Sequence, residues 1–457
     1  MWTLLVAVAL AAEPAAPPPV DVDALAAETV EVLTRYLQVD TINPPGNESR
    51  GAAFFASILD REGIGHRTIE HAPGRASIIA RLPATVPATE KPLCLMSHLD
   101  VATAEPERWK AGAGPLSGAI VDGQIWGRGA LDMKGLGAIE LMTLVGLARA
   151  KAPLRRDVIL LGVADEEVSS LGMRDLIENH WKDIDCSQVL NEGGLGIRDL
   201  FFEGQTIYGI SVAEKGILWA RMIATGAPGH GSRPNPDSAV YRLHRAVEAL
   251  GAYRAKPRMH DSFFDLFRNV SRTRGGVVRY VMAHPRLLFG RLLAGSTTAP
   301  LITDTVHVTG FGGALQNNVV PGESWANLDC RLLPGTTPEA MLARLRALVK
   351  DPNVRFEVQQ TALANESPTD DSFYRALARR AVAGRADAVS GPILSIGFTD
   401  SLLLRPLGVH AYGLAPFEVT QEEAATMHGD DERVSVANVR RGLEIVLGAT
   451  WDVAGQP

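Results

Sequence analysis

Apolar residues recur along this chain at two different spacings, and the switch between them outlines the architecture. Leu25, Val32, Leu33, Tyr36 and Leu37 return at helical intervals, which predicts an amphipathic helix over 22–38. Four short, nearly unbroken apolar runs follow, at 76–82, 93–97, 158–164 and 188–190. Runs of that length without polar alternation read as strands covered on both faces. Helical patterns at 134–150 and 171–180 lie between them. Strands alternating with helices predict an α/β domain built on a largely parallel sheet.

From residue 209 the rhythm changes. Strand patterns at 217–224, 304–309, 326–332 and 353–358 are interleaved with helical patterns at 238–253 and 338–349. This is an α+β module inserted into the first domain. That domain resumes at 361 with a helix at 371–383, a strand-like run at 393–396 and a last helix at 435–448. The chain therefore divides into an N-terminal segment (1–20), a first part of the α/β domain (21–208), the inserted module (209–360) and a second part (361–457). Within the module, residues 255–303 are long for the pattern and rich in Phe, Leu and Arg (SFFDLFRNV, RLLFGRLLAG). They read as amphipathic helix. Packing on the inserted module is the preferred reading, with shaping of a site entrance or contact with a membrane surface as alternatives.

Composition narrows the function classes. A hydrophobic share of 46% with 21% charged residues is that of an ordinary globular protein. The net charge of −7, with no Lys/Arg stripe carrying interleaved aromatics, argues against a nucleic-acid partner. No apolar run is long enough to cross a membrane. The N-terminus differs from the rest: WTLLVAVAL, then Ala9-Leu10-Ala11 and a Pro-rich stretch, reads as a signal peptide and spacer. Export to a periplasmic or extracellular location is the expectation, although no Lys or Arg precedes the apolar run. The three cysteines, Cys94, Cys186 and Cys330, suit buried free thiols better than a disulfide framework.

The chemistry is carried by His98 and Asp100 in LMSHLDV, Asp132 in GRGALDMKG, Glu166 and Glu167 in GVADEEVSS, Glu192 in VLNEGG and His428 in MHGDDERV. Histidine and carboxylate suit zinc and similar divalent ions. Two metals need roughly five protein ligands, one of them a carboxylate able to bridge, and catalysis needs a further carboxylate held free. This set supplies both. His98, Asp100, Glu166, Glu167 and Glu192 each fall just after a predicted strand, and in open α/β sheets ligands bind beyond the carboxyl ends of strands. Each residue alone has an ordinary explanation: a hydrogen-bonded histidine, an Asp helix cap at 132, a solvated acidic turn at 165–167. Ser97 and Ser401 have no convincing triad around them. The remaining histidines lack a metal-ligand context.

In order, spacing and flanking glycines, these segments resemble the M20 metallopeptidases, from TINPPGN at 41–47 to HGDDERVSV at 428–436. The resemblance implies a di-metal catalytic domain with a mostly parallel sheet and an inserted ferredoxin-like lid that often dimerises. It implies two divalent ions, zinc foremost with cobalt or manganese as alternatives, held by His98, Asp132, Glu167, Glu192 and His428. Asp132 would bridge, and its peptide to Met133 would be cis. Glu166 would be the general base, and Asp100 would orient a ligand from behind. His230 in GAPGHGSRP would stabilise an oxyanion, in many relatives from a partner subunit. Asn317 or Asn318, Arg331, Gly397 and Thr399 would meet the substrate, with Asp400 holding the loop. Asn191 stands where some relatives have an acidic residue, which leaves Glu192 as the anionic ligand. The implied reaction is hydrolysis of an amide next to a free carboxylate, in dipeptides, short peptides or N-acyl amino acids. The competing readings are a di-zinc aminopeptidase and a non-catalytic relative that binds peptides.

Overall fold

Every residue of Leu93–His98 and of Val158–Val163 is buried, as expected for strands whose apolar runs leave no polar face to turn to solvent. The computed structural model describes residues 18–110, 112–288, 290, 295 and 298–456. The apolar N-terminal run, and with it the export reading, lies outside the described residues.

In chain order the first part contributes α1 (Val22–Leu37), β1 (His66–Ala72), β2 (Arg75–Leu82), β3 (Leu93–His98), α2 (Lys134–Arg149), β4 (Val158–Val163), β5 (Gln188–Asn191) and β6 (Thr206–Glu214). The second part adds β11 (Ala388–Ser395) and β12 (His410–Gly413) to the same sheet. The eleven-stranded sheet runs β1-β2-β4-β3-β5-β12-β6 and on to the short strands Gly196–Arg198 and Glu418–Val419, with β11 and Asn365–Glu366 also paired to β6. Its centre is parallel, β4 to β3 to β5 to β12, and β11 runs parallel to β6. The β1 and β2 edge is antiparallel. α2 lies between this sheet and the helices α1 and Val436–Ala454, so it is buried on nearly every side. A helix so placed has no polar face to show.

The inserted module is β7 (Gly216–Thr225), α3 (Ala239–Gly251), α4 (Asp261–Arg272), β8 (Thr305–Gly312), β9 (Glu323–Leu332), α5 (Pro338–Val349) and β10 (Val354–Ala362). Its four-stranded antiparallel sheet has the order β8-β9-β7-β10. With α4 set aside, the sequence β-α-β-β-α-β is that of a ferredoxin-like unit. β9 alternates between buried and half-exposed residues along its length. The buried set packs under α3 and α5, where Leu243, Leu250, Met341 and Leu345 join Ala326, Leu328 and Cys330. One face covered and one open is the usual state of an antiparallel sheet.

Two sequence expectations are corrected. β6 stays in the large sheet through Glu214, so the change of sheet comes at Lys215 and not at 209. Among the described residues, the main helix of 255–303 packs on the large sheet and not on the inserted module, while Phe289 and 291–294 of RLLFGRLLAG lie outside the described residues. α4 lies against β11 of the large sheet; its Leu266 and Val270 join Ile207 and Val389, and Phe263 and Phe267 join the main core. The amphipathic face found a sheet, but the sheet belongs to the α/β domain. All three cysteines are free and buried.

A buried ion pair ties the end of β6 to the returning chain. The Arg405 Nη1 donates to Glu214 Oε1 at 3.0 Å, with side chains 1% and 0% exposed, and its Nε and Nη2 donate to the Ala411 carbonyl. Removing one partner of such a pair leaves an uncompensated buried charge. Arg405→Ala is therefore expected to cost about 3–5 kcal/mol, read from the midpoint and slope of chemical denaturation. A loss below about 1 kcal/mol, the range of surface pairs, would show that Glu214 finds other compensation.

Candidate active site

Three adjacent parallel strands, β4, β3 and β5, end side by side, and each hands a side chain to one cleft. His98 closes β3, Glu166 and Glu167 follow β4, and Glu192 follows β5. Asp132 arrives from the segment ahead of α2, and His428 from the turn after the short helix Gln421–Ala424. His428 adopts a left-handed backbone (φ 58°), a conformation that costs about 1–3 kcal/mol and clusters at functional sites.

These side chains form two trios that share one residue. His98, Asp132 and Glu192 offer ligand atoms within 4.8 Å of one another, and so do Asp132, Glu167 and His428. Asp132 divides its carboxylate between them. Oδ1 lies 3.2 Å from His98 Nε2, and Oδ2 lies 3.0 Å from His428 Nε2. Glu192 Oε1 stands 3.6 Å from His98 Nε2, and Glu167 Oε2 stands 3.2 Å from His428 Nε2. The Asp132–Met133 peptide is cis. Glu166 joins neither trio, and its Oε1 is buried with no hydrogen-bond partner. Glu166 and Glu167 sit on a turn and not on extended chain; the turn, more than strand alternation, separates their directions.

The charges are unbalanced. Against the cost of burial, hydrogen bonds from His428 and His98 hold Asp132 well below the usual carboxylate range. Burial, then the repulsion of Asp132, drives Glu192 far upward. Burial, then Asp400 and Glu167, does the same to Glu166 despite the opposing pull of His98. Hydrogen bonds to Asp132 and Glu167 raise His428 to about 10.

Around the trios stands a ring of groups that sequence reasoning largely missed. Glu432 accepts the backbone N–H of Leu131 at 2.8 Å and of Asp132 at 3.1 Å, and pairs with buried Arg128. Asp100 accepts the N–H groups of Glu166 and Glu167, both at 3.1 Å. His98 Nδ1 meets the Asp100 carbonyl at 2.9 Å and its carboxylate only at 3.6 Å. The expected orienting role thus falls to the backbone of Asp100, while its carboxylate pins the Glu166–Glu167 turn. Asn43 links Asp100 to Asp165, and Arg75 reaches both Glu48 and Asp165. Glu48, Asp100 and Asp165 also lie close together, but the cation there is Arg75. Burial, then Asp100, raises Glu48 to about 7.

The substrate residues named from sequence fall into two groups. Gly397 and Thr399 line the cavity that opens beside Asp132, Glu192 and His428. Thr399 donates its N–H and Oγ1 to Glu214 at 3.0 and 2.9 Å, and its Oγ1 accepts from the Ser401 N–H. Thr399 therefore holds this loop, which was the part expected of Asp400. The Asp400 Oδ1 is buried without a partner, and burial lifts its carboxyl to about 7. Asn191 turns its amide to Ser401 Oγ at 3.0 Å, away from the trios. His230, Asn317 and Asn318 belong to an exposed ribbon of the inserted module, where Gly229–His230 pairs with Val319–Val320. His230 Nδ1 contacts Ser232, and no hydrogen bond carries it to the trios within one chain. Arg331 on β9 is tied to Asp329 at 2.9 Å and keeps one buried, unpartnered nitrogen, Nη1.

Comparison with known proteins agrees with this geometry. The model of peptidase family M20/M25/M40 matches residues 94–451. Aminoacylase-1B of Rattus norvegicus is 27% identical over 439 residues, covering 94% of this chain and 96% of its own. The N-fatty-acyl-amino acid synthase/hydrolase PM20D1 of Homo sapiens is 27% identical over 456 residues, covering 92% and 88%. Among solved structures, the M20 family metallo-carboxypeptidase Sso-CP2 of Sulfolobus solfataricus superposes with a TM-score of 0.70 at 19% identity, over 92% of this chain and 98% of that one. A family match spanning most of the chain, over a cleft that gathers the residues its motifs supply, makes this protein a member of peptidase family M20/M25/M40 and a hydrolase of amide bonds.

Proposed function

We propose that this protein is a two-metal amidohydrolase acting on N-acyl amino acids and short peptides with a free carboxylate next to the scissile amide. The carrying observation is the shared carboxylate of Asp132, one oxygen to each trio. The donor set fits two divalent ions. It contains only imidazole and carboxylate, as zinc, cobalt and manganese sites do. Burial, and after it the repulsion among these carboxylates, raises Glu166 and Glu192, and a pair of dications would relieve that repulsion. His98, Asp132 and Glu192 would hold one ion and Asp132, Glu167 and His428 the other, with zinc the ion proposed.

Bound there, two such ions supply Lewis acidity toward a carbonyl oxygen and acidity to a water. The chain's own part is positional. Glu166, free of both trios and with an unpartnered oxygen, accepts the proton of the attacking water and returns it to the leaving amine. Asp100 and Glu432 fix the two backbone segments that present Glu166, Glu167 and Asp132. His230 supports the oxyanion and Arg331 the substrate carboxylate, which requires the inserted module to close, or that of a second copy to reach across. The names of both reported sequence relatives, an aminoacylase and an N-fatty-acyl-amino acid hydrolase, favour the N-acyl amino acid over the dipeptide.

Glu166→Gln should retain the bound metal and lose at least about a hundredfold in kcat, because an amide cannot take the proton. Glu167→Gln should lose metal as well, measured by elemental analysis of the purified variants. Equal metal loss in both would overturn the division of labour between the two residues. His230→Ala should lower kcat while leaving KM within about twofold, the mark of a contact made in the transition state. Arg331→Ala should raise KM for acyl amino acids and leave their carboxamides unaffected. Mixing Glu166→Gln with His230→Ala protein should restore activity if the histidine crosses between subunits; no recovery with proven exchange means that each chain serves itself.

A further inference from the structure

Beside the trios the fold holds a cavity of about 440 Å³, within the roughly 300–1,000 Å³ usual for small-molecule sites. Asp132, Glu192 and His428 line one part of it; Leu195, Ile197, Ile207, Leu266, Ile393 and Phe398 line much of the rest. No lysine or arginine is among its lining residues. A carboxylate entering it would lose its hydration, find no basic partner and face Asp132 and Glu192. An ammonium sent along the wall from Leu195 to Phe398, away from those two carboxylates, would find no partner either. Both are costly. An amide seated on the trios must therefore send an uncharged, apolar substituent into this space. A free dipeptide carries an ammonium at its acyl end, and an amino acid its carboxylate at the other. An acyl chain carries neither.

Resting on the reading above, we infer that this cavity takes the acyl chain of an N-acyl amino acid, and that α4 is the wall that sets the length it accepts. Three contacts place α4 there. Leu266 lines the cavity, and its backbone is pressed so closely on Gly391 of β11 that an added Cβ would lie 3.0 Å from the Leu266 Cα and 2.7 Å from its Cδ1. Asn269 Nδ2 donates to the Ser390 carbonyl at 3.1 Å. Phe267 stacks on Phe201 with ring centres 5.3 Å apart, which anchors the loop carrying Leu200, another cavity residue. Both strands beneath are stripped of side chain where it counts. Gly209 of β6 lines the cavity bare, and a Cβ there would meet Ile393 at 2.9 Å. α4 comes from the 255–303 segment, for which shaping of a site entrance stood as the alternative to packing on the inserted module.

The test uses full-length Glu166→Gln protein, so that binding is read without turnover, with calorimetric titration of acetyl-, butanoyl-, octanoyl- and dodecanoylglycine. Affinity should rise about two- to fourfold per added methylene until the cavity is full. Leu266→Trp in the same background should lower the octanoyl-to-acetyl affinity ratio by at least about tenfold, the loss of a few buried methylenes. Leu200→Trp at the partly exposed edge should lower the same ratio, and it decides the matter if the first variant does not fold. A flat acyl series would overturn the inference. So would a gain that follows the amino-acid side chain in N-acetyl substrates instead of the acyl chain, or a chain-length dependence that neither variant changes. Chain-length-dependent binding by a wild-type enzyme that cleaves none of these amides would sink the hydrolase reading and leave the acyl cavity standing.

Discussion

Four carboxylates, Asp132, Glu166, Glu167 and Glu192, share one cleft with only two imidazoles, and the surrounding structure answers to that imbalance. Moving a carboxylate out of water costs several kcal/mol even after relaxation. The two histidines are spent on Asp132, one on each oxygen, and that residue is held well below its ordinary range. Glu192 and Glu166 are pushed up instead. A cleft with this deficit of positive charge is poor as a bare packing arrangement and good as a cradle for cations.

The support around the cleft puts its carboxylates to a different use. Glu432 and Asp100 are ionisable, but they spend their oxygens on backbone N–H groups of Leu131, Asp132, Glu166 and Glu167. Each converts a buried carboxylate into a clamp on a peptide segment, and a clamped segment presents its side chain in one place. Behind them, Arg128 pairs with Glu432 and Arg75 is shared by Glu48 and Asp165. The outer ring thus has guanidinium groups among its carboxylates, while the inner one has only imidazole. That difference makes the inner ring the one a pair of cations would fit.

Much of the inner ring was legible because four of its six residues follow strands, whereas Asp132 and His428 do not and came only from the resemblance to the M20 motifs. His98, Glu166, Glu167 and Glu192 come directly after apolar runs that can only be buried parallel strands, and strand ends converge by topology. The outer ring was less legible. Glu48, Arg75 and Glu432 lie on a helix, at the start of β2 and on a loop, whose proximity depends on how those elements pack, and no local pattern encodes that. The role of Asp400 was assigned to the wrong neighbour for a similar reason, since Thr399 finds Glu214 across 185 residues. The 255–303 segment shows the limit most directly. An amphipathic helix announces that it has an apolar face to cover, but not which sheet will cover it.

That placement gives the insertion a double attachment. Arg258, just ahead of α4, donates to Thr336 and Asp304 of the inserted module, and Lys215 at the crossing between sheets donates to the Thr303 carbonyl at 2.7 Å. Both ends of the segment are thus fixed at the root of the ferredoxin-like unit, while its helix is packed on β11 beside the cavity. The module that carries His230 and Arg331 and the wall that carries Leu266 are parts of one continuous stretch of chain. On the roles proposed for them, recognition of a charged end and of an apolar end of one substrate can diverge by change within a single insertion, while the strand ends holding His98, Glu166, Glu167 and Glu192 stay as they are.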